Sequence, residues 1–316
     1  GTNNIPVEAC AEKGVVVFNT PGANANAVKE LVICGLLMAS RKVGAAIDWC
    51  KTLKGEGEAV GKLVEKGKSN FAGPEIGGKT LGVVGLGAIG FKVAVAASAL
   101  GMKIVGYDPF LSDAVRAQLP DGTKVVTDIN DIFKESDYIT LHLPLNDATK
   151  NTVNKETLAL CKDGVRILNF ARGGLVNSDA VIEALGSGKC AAYVVDFPSD
   201  EIIGVEGVTA LPHLGASTPE SEDNCAMMAA DELIGYIEKG EIKNSVNLPN
   251  LTGLGDVESK RVCVICKEDA VESVKAALGD AKSAARKGYG YVVADGADEA
   301  KLDSIDGIIK VRTIVK

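Results

Sequence analysis

The chain has 316 residues, 46% hydrophobic and 24% charged, an ordinary globular balance with room for two or three domains. A formal net charge of −8 and the lack of any apolar run of membrane-spanning length argue against nucleic acid and membrane as partners. The eight cysteines are scattered, and several lie in apolar stretches, which suits reduced thiols better than a disulfide framework. With no signal or transit pattern in the first residues, a cytoplasmic location is expected.

Residues 15–18 read as a short strand, and residues 19–22 as a turn. From Asn24 to about Leu53 runs one long helical pattern, apolar at Val28, Leu31, Val32, Leu36, Leu37, Val43 and Ile47. Residues 55–78 are polar and glycine-rich, and read as a surface connection. Then comes a buried-strand pattern, residues 81–84, ending in Gly85-Leu86-Gly87-Ala88-Ile89-Gly90. Val93, Ala94, Ala97 and Leu100 follow at helical spacing, and a second strand at 103–107 closes on Tyr107-Asp108. This is a βαβ unit with the fingerprint of a dinucleotide site. Gly85 permits the tight turn, Gly87 lets backbone approach a pyrophosphate, and Gly90 lets helix and strand pack closely. Asp108 sits where it accepts bonds from both ribose hydroxyls and repels the extra phosphate of NADP, so NAD is the expected cofactor.

Strand patterns at 138–143, 166–170, 191–195 and 208–211 alternate with helical ones, which predicts a doubly wound, Rossmann-type parallel α/β sheet. Residues 219–239 read as one amphipathic helix and 240–260 as a linker by composition. Beyond it, strands at 261–266, 290–294 and 308–315 with helices at 269–278 and 299–305 make a small α+β module. Cys263 and Cys266 form a CxxC by spacing alone; in a strand they face opposite ways, so no metal site is expected.

The only histidines are His142 and His213. His213 and Arg172 each follow a predicted strand, and ligands in such sheets bind outside the carboxyl ends of the strands. With an acid near Asp200-Glu201 they converge on one crevice. Arginine offers a rigid fork to a carboxylate, and histidine exchanges a hydroxyl proton near neutral pH. His142 lies inside a strand ahead of Pro144 and reads as a wall of the cofactor pocket.

The runs GLGAIG (85–90), HLPLNDATKN (142–151), NFARGGLVNSDAV (169–181) and PHLGAST (212–218) together resemble the D-isomer-specific 2-hydroxyacid dehydrogenases. Residues 196–198 and 242–249 resemble the branch of that family that oxidises 3-phospho-D-glycerate in serine synthesis. The resemblance implies that Arg172 binds the substrate carboxylate, that His213 is the general acid/base, and that Glu201 pairs with it. Spacing from Arg172 selects Glu201, whereas alignment on Phe197-Pro198 selects Asp200. NAD would be held by Gly85, Gly87, Ala88, Ile89 and Gly90, by Tyr107 and Asp108, and by His142, Pro144 and Thr149. Phe170, Ala171, Arg172, Asp196, His213 and Gly215 would complete that lining.

The domains implied are an NAD-binding domain at 24–216 and a partial flavodoxin-like substrate lobe at 1–23 and 217–245. A linker at 246–258 and an ACT-like regulatory module at 259–316 follow. Family members carry several strands of the lobe ahead of the stretch that opens this chain. The family's serine-binding turn, His-x-Asn-x-x-Gly, is matched here by Cys266, Glu268 and Val271. The expected partners are a small phosphorylated 2-hydroxyacid and a second copy of the chain. Turnover of glycerate, glyoxylate or lactate, or NAD binding without turnover, are the competing readings.

Overall fold

The computed structural model describes residues 4–316; Gly1, Thr2 and Asn3, the start of the expected lobe remnant, lie outside the described residues. The chain forms two compact units, one of residues 4–23 with Glu222–Lys316 and one of Asn24–Ser221. In chain order, α1 (Val7–Glu12) belongs to the first. The second opens with α2 (Ala25–Arg41), α3 (Val43–Thr52) and α4 (Val60–Gly67). It continues through β1 (Thr80–Val84), α5 (Ala88–Ala99), β2 (Lys103–Tyr107), α6 (Asp113–Arg116) and β3 (Lys124–Val126). Next come α7 (Ile129–Glu135), β4 (Tyr138–Leu141), α8 (Lys155–Leu160) and β5 (Val165–Asn169). After α9 (Ser178–Gly186), β6 (Cys190–Val195) and β7 (Val208–Ala210), α10 (Pro219–Ile234) leads out of this unit. The chain then forms β8 (Lys260–Lys267), α11 (Val271–Leu278), β9 (Ala281–Arg286), β10 (Tyr289–Asp295) and β11 (Ile308–Val315).

The larger unit is a seven-stranded sheet of order β3-β2-β1-β4-β5-β6-β7, parallel throughout. Its central strands are apolar on both faces because helices cover both. Val84, Ile139 and Leu141 enter one core, while Leu81, Val83 and Tyr138 enter the other. Strand order reverses between β1 and β4, which opens a crevice above their carboxyl ends.

The expected single helix from Asn24 to Leu53 is two helices. Lys42 stands between them at φ 37°, ψ 36°, a left-handed conformation that ends α2 and starts α3. The returning chain lies so near that a Cβ on Gly73 would fall 1.8 Å from the Ser40 carbonyl oxygen. The expected surface connection at 55–78 contains α4, whose Gly67 lies under Trp49; Trp49 also packs on Phe71 at 5.3 Å between ring centroids. No residue of α3 is buried, and Leu37, Val43 and Ile47 are 44%, 41% and 53% exposed.

The smaller unit is a four-stranded antiparallel sheet of order β11-β8-β10-β9. Val262, Val264, Cys266 and Val292 face α11, through Val271, Val274 and Leu278. Cys263, Ile265, Tyr291 and Val293 face the other way, onto Ala11, Ile242, Leu248 and Leu254. The segments read from sequence as lobe remnant, linker and terminal module therefore share one core. The predicted strand at 15–18 does not form beyond a single bridge from Phe18 to Ser245. The buried Asn247 side chain takes the ladder positions instead, accepting from Val17 N–H at 3.0 Å and donating to the Val15 carbonyl at 2.9 Å. β9 was not expected: AKSAAR is weakly apolar and becomes a strand by pairing with β10 across the Lys287-Gly288 turn.

Candidate active site

The glycine turn is built as its residues require. Gly85 has φ 92°, and a Cβ there would fall 2.6 Å from the His142 carbonyl oxygen. A Cβ on Gly90 would fall 1.9 Å from the Gly85 carbonyl oxygen, so β1 and α5 meet here only because Gly90 lacks one. Nothing lies within 4 Å of where a Cβ on Gly87 would be. That open space faces the first turn of α5, where Ala88, Ile89 and Gly90 present helix N-terminal N–H groups. A pyrophosphate fits there. Asp108 closes the turn from β2, accepting from Leu86 N–H and Phe110 N–H, each at 2.9 Å. Those bonds fix the carboxylate and leave it lone pairs for two ribose hydroxyls.

His142 follows β4 beside this turn, with Nε2 3.0 Å from the Thr140 hydroxyl. Burial pushes its pKa down to about 3, so the ring is neutral at physiological pH and serves as wall, not acid. Thr149 is committed to its own loop: its hydroxyl donates to the Pro144 carbonyl at 2.5 Å and accepts from Asn146 N–H at 2.9 Å. Pro144 and Thr149 thus shape the rim through backbone geometry.

Beyond the ends of β5, β6 and β7 two polar side chains gather at Phe197. The ring of His213 lies 4.4 Å from that of Phe197, and the Arg172 guanidinium carbon lies 5.8 Å from the same ring. Both side chains are exposed; Arg172 Nη1 donates to the Ala171 carbonyl at 2.6 Å, and its remaining N–H groups can meet a ligand. The buried Asn169, not among the expected site residues, holds the 170–172 turn from both ends. Its amide donates to the Arg172 carbonyl at 2.9 Å and accepts from Ala171 N–H at 3.2 Å. The signal for it in the sequence is an asparagine at the end of an otherwise apolar strand. Phe170 is buried against Gly35 of α2.

Asp196, directly after β6, is fully buried, and its carboxylate is approached by the backbone N–H groups of Asp196 itself and Gly215. Burial raises its pKa, while His213 and Arg172 pull it back down. Gly215 lies against it, since a Cβ there would be 3.4 Å from Oδ2. Glu201 and Asp200 are exposed on the turn that follows. Among the described residues there is no cluster able to hold a metal ion and no helix long and apolar enough to cross a membrane.

The family profile of the D-isomer specific 2-hydroxyacid dehydrogenase NAD-binding domain matches residues 33–215. The chain belongs to this family, and its cofactor is NAD. It is 38% identical over 258 residues to a D-3-phosphoglycerate dehydrogenase of Methanocaldococcus jannaschii, covering 79% of this chain and 47% of that protein. It is 41% identical over 231 residues to a hydroxypyruvate reductase of Thermotoga maritima, covering 70% of each. The chain thus spans about half the length of the phosphoglycerate dehydrogenases it matches. Among solved structures, a glyoxylate reductase from Paecilomyes thermophila superimposes with TM-score 0.66 at 32% identity, over 78% of this chain and 72% of that one. A D-lactate dehydrogenase from Aquifex aeolicus, complexed with NAD and lactic acid, gives TM-score 0.64 at 26% identity over 79% and 78%.

Proposed function

We propose that this chain oxidises 3-phospho-D-glycerate to 3-phosphohydroxypyruvate, the first step of serine synthesis. The observation that carries the chemistry is the meeting of Arg172 and His213 on Phe197, at the strand ends beside the glycine turn. The substrate rests on the likeness to the phosphoglycerate dehydrogenases. Arg172 would clamp the substrate carboxylate and polarise the C2 oxygen. His213 would take the C2 hydroxyl proton in oxidation and return it in reduction. NAD, when bound, supplies the hydride acceptor at its nicotinamide. A second reading, reduction of hydroxypyruvate, is favoured by the equal coverage of the Thermotoga maritima relative. NADH oxidation with 3-phosphohydroxypyruvate, hydroxypyruvate, glyoxylate and pyruvate tests both. The highest kcat/KM for the phosphorylated acid supports the first reading, and the highest for hydroxypyruvate the second. NADH binding with no turnover of any acid removes both.

Fluorescence titration is expected to show NADH binding at least about tenfold more tightly than NADPH, because Asp108 meets the extra phosphate as a like charge. Equal affinities would mean Asp108 does not face the ribose.

We also propose that the chain works as a homodimer, with α3 and its exposed Val43 and Ile47 against the partner. A helix that buries nothing of its own is stabilised by covering it. Sedimentation equilibrium should give twice the chain mass; a monomer at micromolar concentration would contradict this.

The four-stranded module, with α11 between β8 and β9 and the antiparallel order β11-β8-β10-β9, suits an ACT-like regulatory domain. Its first strand–turn keeps Glu268 engaged internally, accepting from Gly288 N–H at 2.8 Å. That carboxylate would repel the carboxylate of an incoming amino acid. Calorimetry with L-serine is therefore expected to show no micromolar binding, and such binding would restore a feedback role.

A further inference from the structure

We propose that the outer edge of the four-stranded sheet, β11 with the groove beside it, docks an extended segment of a partner protein that carries a lysine or arginine among aliphatic residues.

β11 is the last strand on its side of the sheet and pairs only with β8. Every second residue of such a strand turns its N–H and C=O away from the sheet, and another strand is what meets a whole row of them. β11 runs eight residues, IIKVRTIV, with no proline to close the edge. Its two cations do not guard it either. The register sets Lys310 and Arg312 opposite Ile265 and Cys263, on the face that lies on Ala11 and Ile242. Arg312 is held on that face, donating to the carbonyls of Tyr236 and Ile237. Val311 and Thr313 stand opposite Val264 and Val262, on the face that α11 covers farther in.

Over β11 that cover is thin. The helix expected at 299–305 is a single 3-10 turn, Glu299–Leu302. It leaves a groove of about 480 Å³ along the strand, lined by Leu302, Ile305, Ile308 and Val311. Val311 is 39% exposed and Val315 73%. An open edge asks for a strand, and an apolar groove on one face asks for aliphatic side chains at every second position of it. The rim sets the charge. Glu299 and Asp303 border the groove. Glu299 accepts from the Thr313 hydroxyl and lies 3.9 Å from Lys260 Nζ, whereas Asp303 is exposed and has no ion pair among the described residues. A second copy of β11 answers the edge but not the rim. In a two-fold pairing it brings Val311, Thr313 and Val315 to the groove face and keeps its cations on the other. The occupant is therefore a foreign segment with a cation on its groove-facing side.

The probe is an acetylated heptapeptide of alternating valine and threonine, with one valine replaced by lysine, titrated into the full chain by fluorescence anisotropy. It is expected to bind and to slow hydrogen exchange of the β11 backbone amides by about tenfold or more. Glutamate in place of the probe's lysine should weaken binding by about fivefold or more. Val311→Lys, at a half-exposed edge position, should weaken it by about tenfold or more. Val315→Lys, at a still more exposed position, carries the same comparison if Val311→Lys does not fold. No binding at millimolar probe would overturn the proposal, and so would binding that survives both substitutions or that is equal for the lysine and glutamate probes. A sedimentation mass that falls in Val311→Lys would put a second copy on this edge and overturn it as well.

Discussion

Alanine at position 213 is expected to lower turnover by about two orders of magnitude or more while leaving NADH binding nearly intact. The ring belongs to neither core of the nucleotide-binding unit. It is exposed and rests on Phe197, so its removal deletes the proton carrier without opening a cavity. Arg172, the glycine turn and Asp108 keep their own supports, in Asn169, His142 and Leu86. Steady-state kinetics together with NADH fluorescence titration check this. Loss of NADH binding alongside turnover would make His213 a wall of the cofactor pocket.

The second large effect belongs to Arg261 in the smaller unit. Its side chain is 2% exposed and ties four groups together. Nε and Nη2 donate to Asp295 at 2.6 and 2.9 Å, forming a bidentate pair. Nη1 donates to the carbonyls of Lys239 and Gly255 at 2.7 and 3.0 Å, and Nη2 to that of Leu254 at 3.1 Å. Arg261→Ala should destabilise this unit by about 3–5 kcal/mol, the range for breaking a buried charge pair. Asp295 is 63% exposed and can turn to water, so most of the loss falls on three carbonyls stripped of their donor. Arg261→Met, which keeps the volume but not the donors, should lose nearly as much. Urea unfolding followed by Tyr291 fluorescence or hydrogen exchange in β8 checks it. A loss under about 1 kcal/mol would mean that the carbonyls find water.

What could be read from the sequence was local. The glycine turn, its strand and helix and Asp108 lie within one 30-residue block, and the steric reason for Gly90 lies inside it, although Gly85 is also pressed by His142 from outside. The parallel sheet was legible because strands covered on both faces must be apolar throughout. Other features were set by distant contacts. Lys42 breaks a continuous helical pattern with neither glycine nor proline to announce it. β9 has little strand propensity of its own and exists through β10. Asn247 reaches across 230 residues to Val17 and consumes the bonds that would have made a strand there. Near His213 the acids Asp196, Asp200 and Glu201 fall within six positions, and spacing alone says nothing of their burial. Burial separates them: one is screened from water and two are not.

The shared core of the smaller unit has a consequence for how the chain is made. Ala11 and its neighbours are synthesised well before the surfaces they cover, Cys263, Ile265, Tyr291 and Val293. Residues 24–221 form an insertion between the two, complete in themselves. The insertion can close while synthesis continues, at a pace of about 5–20 residues per second. The segment around Ala11 must wait through all of that with Ala11, Val16 and Phe18 uncovered. Glu8, Glu12 and Lys13 intersperse charge among those apolar positions, and the folding of β8 and β10 is what covers them.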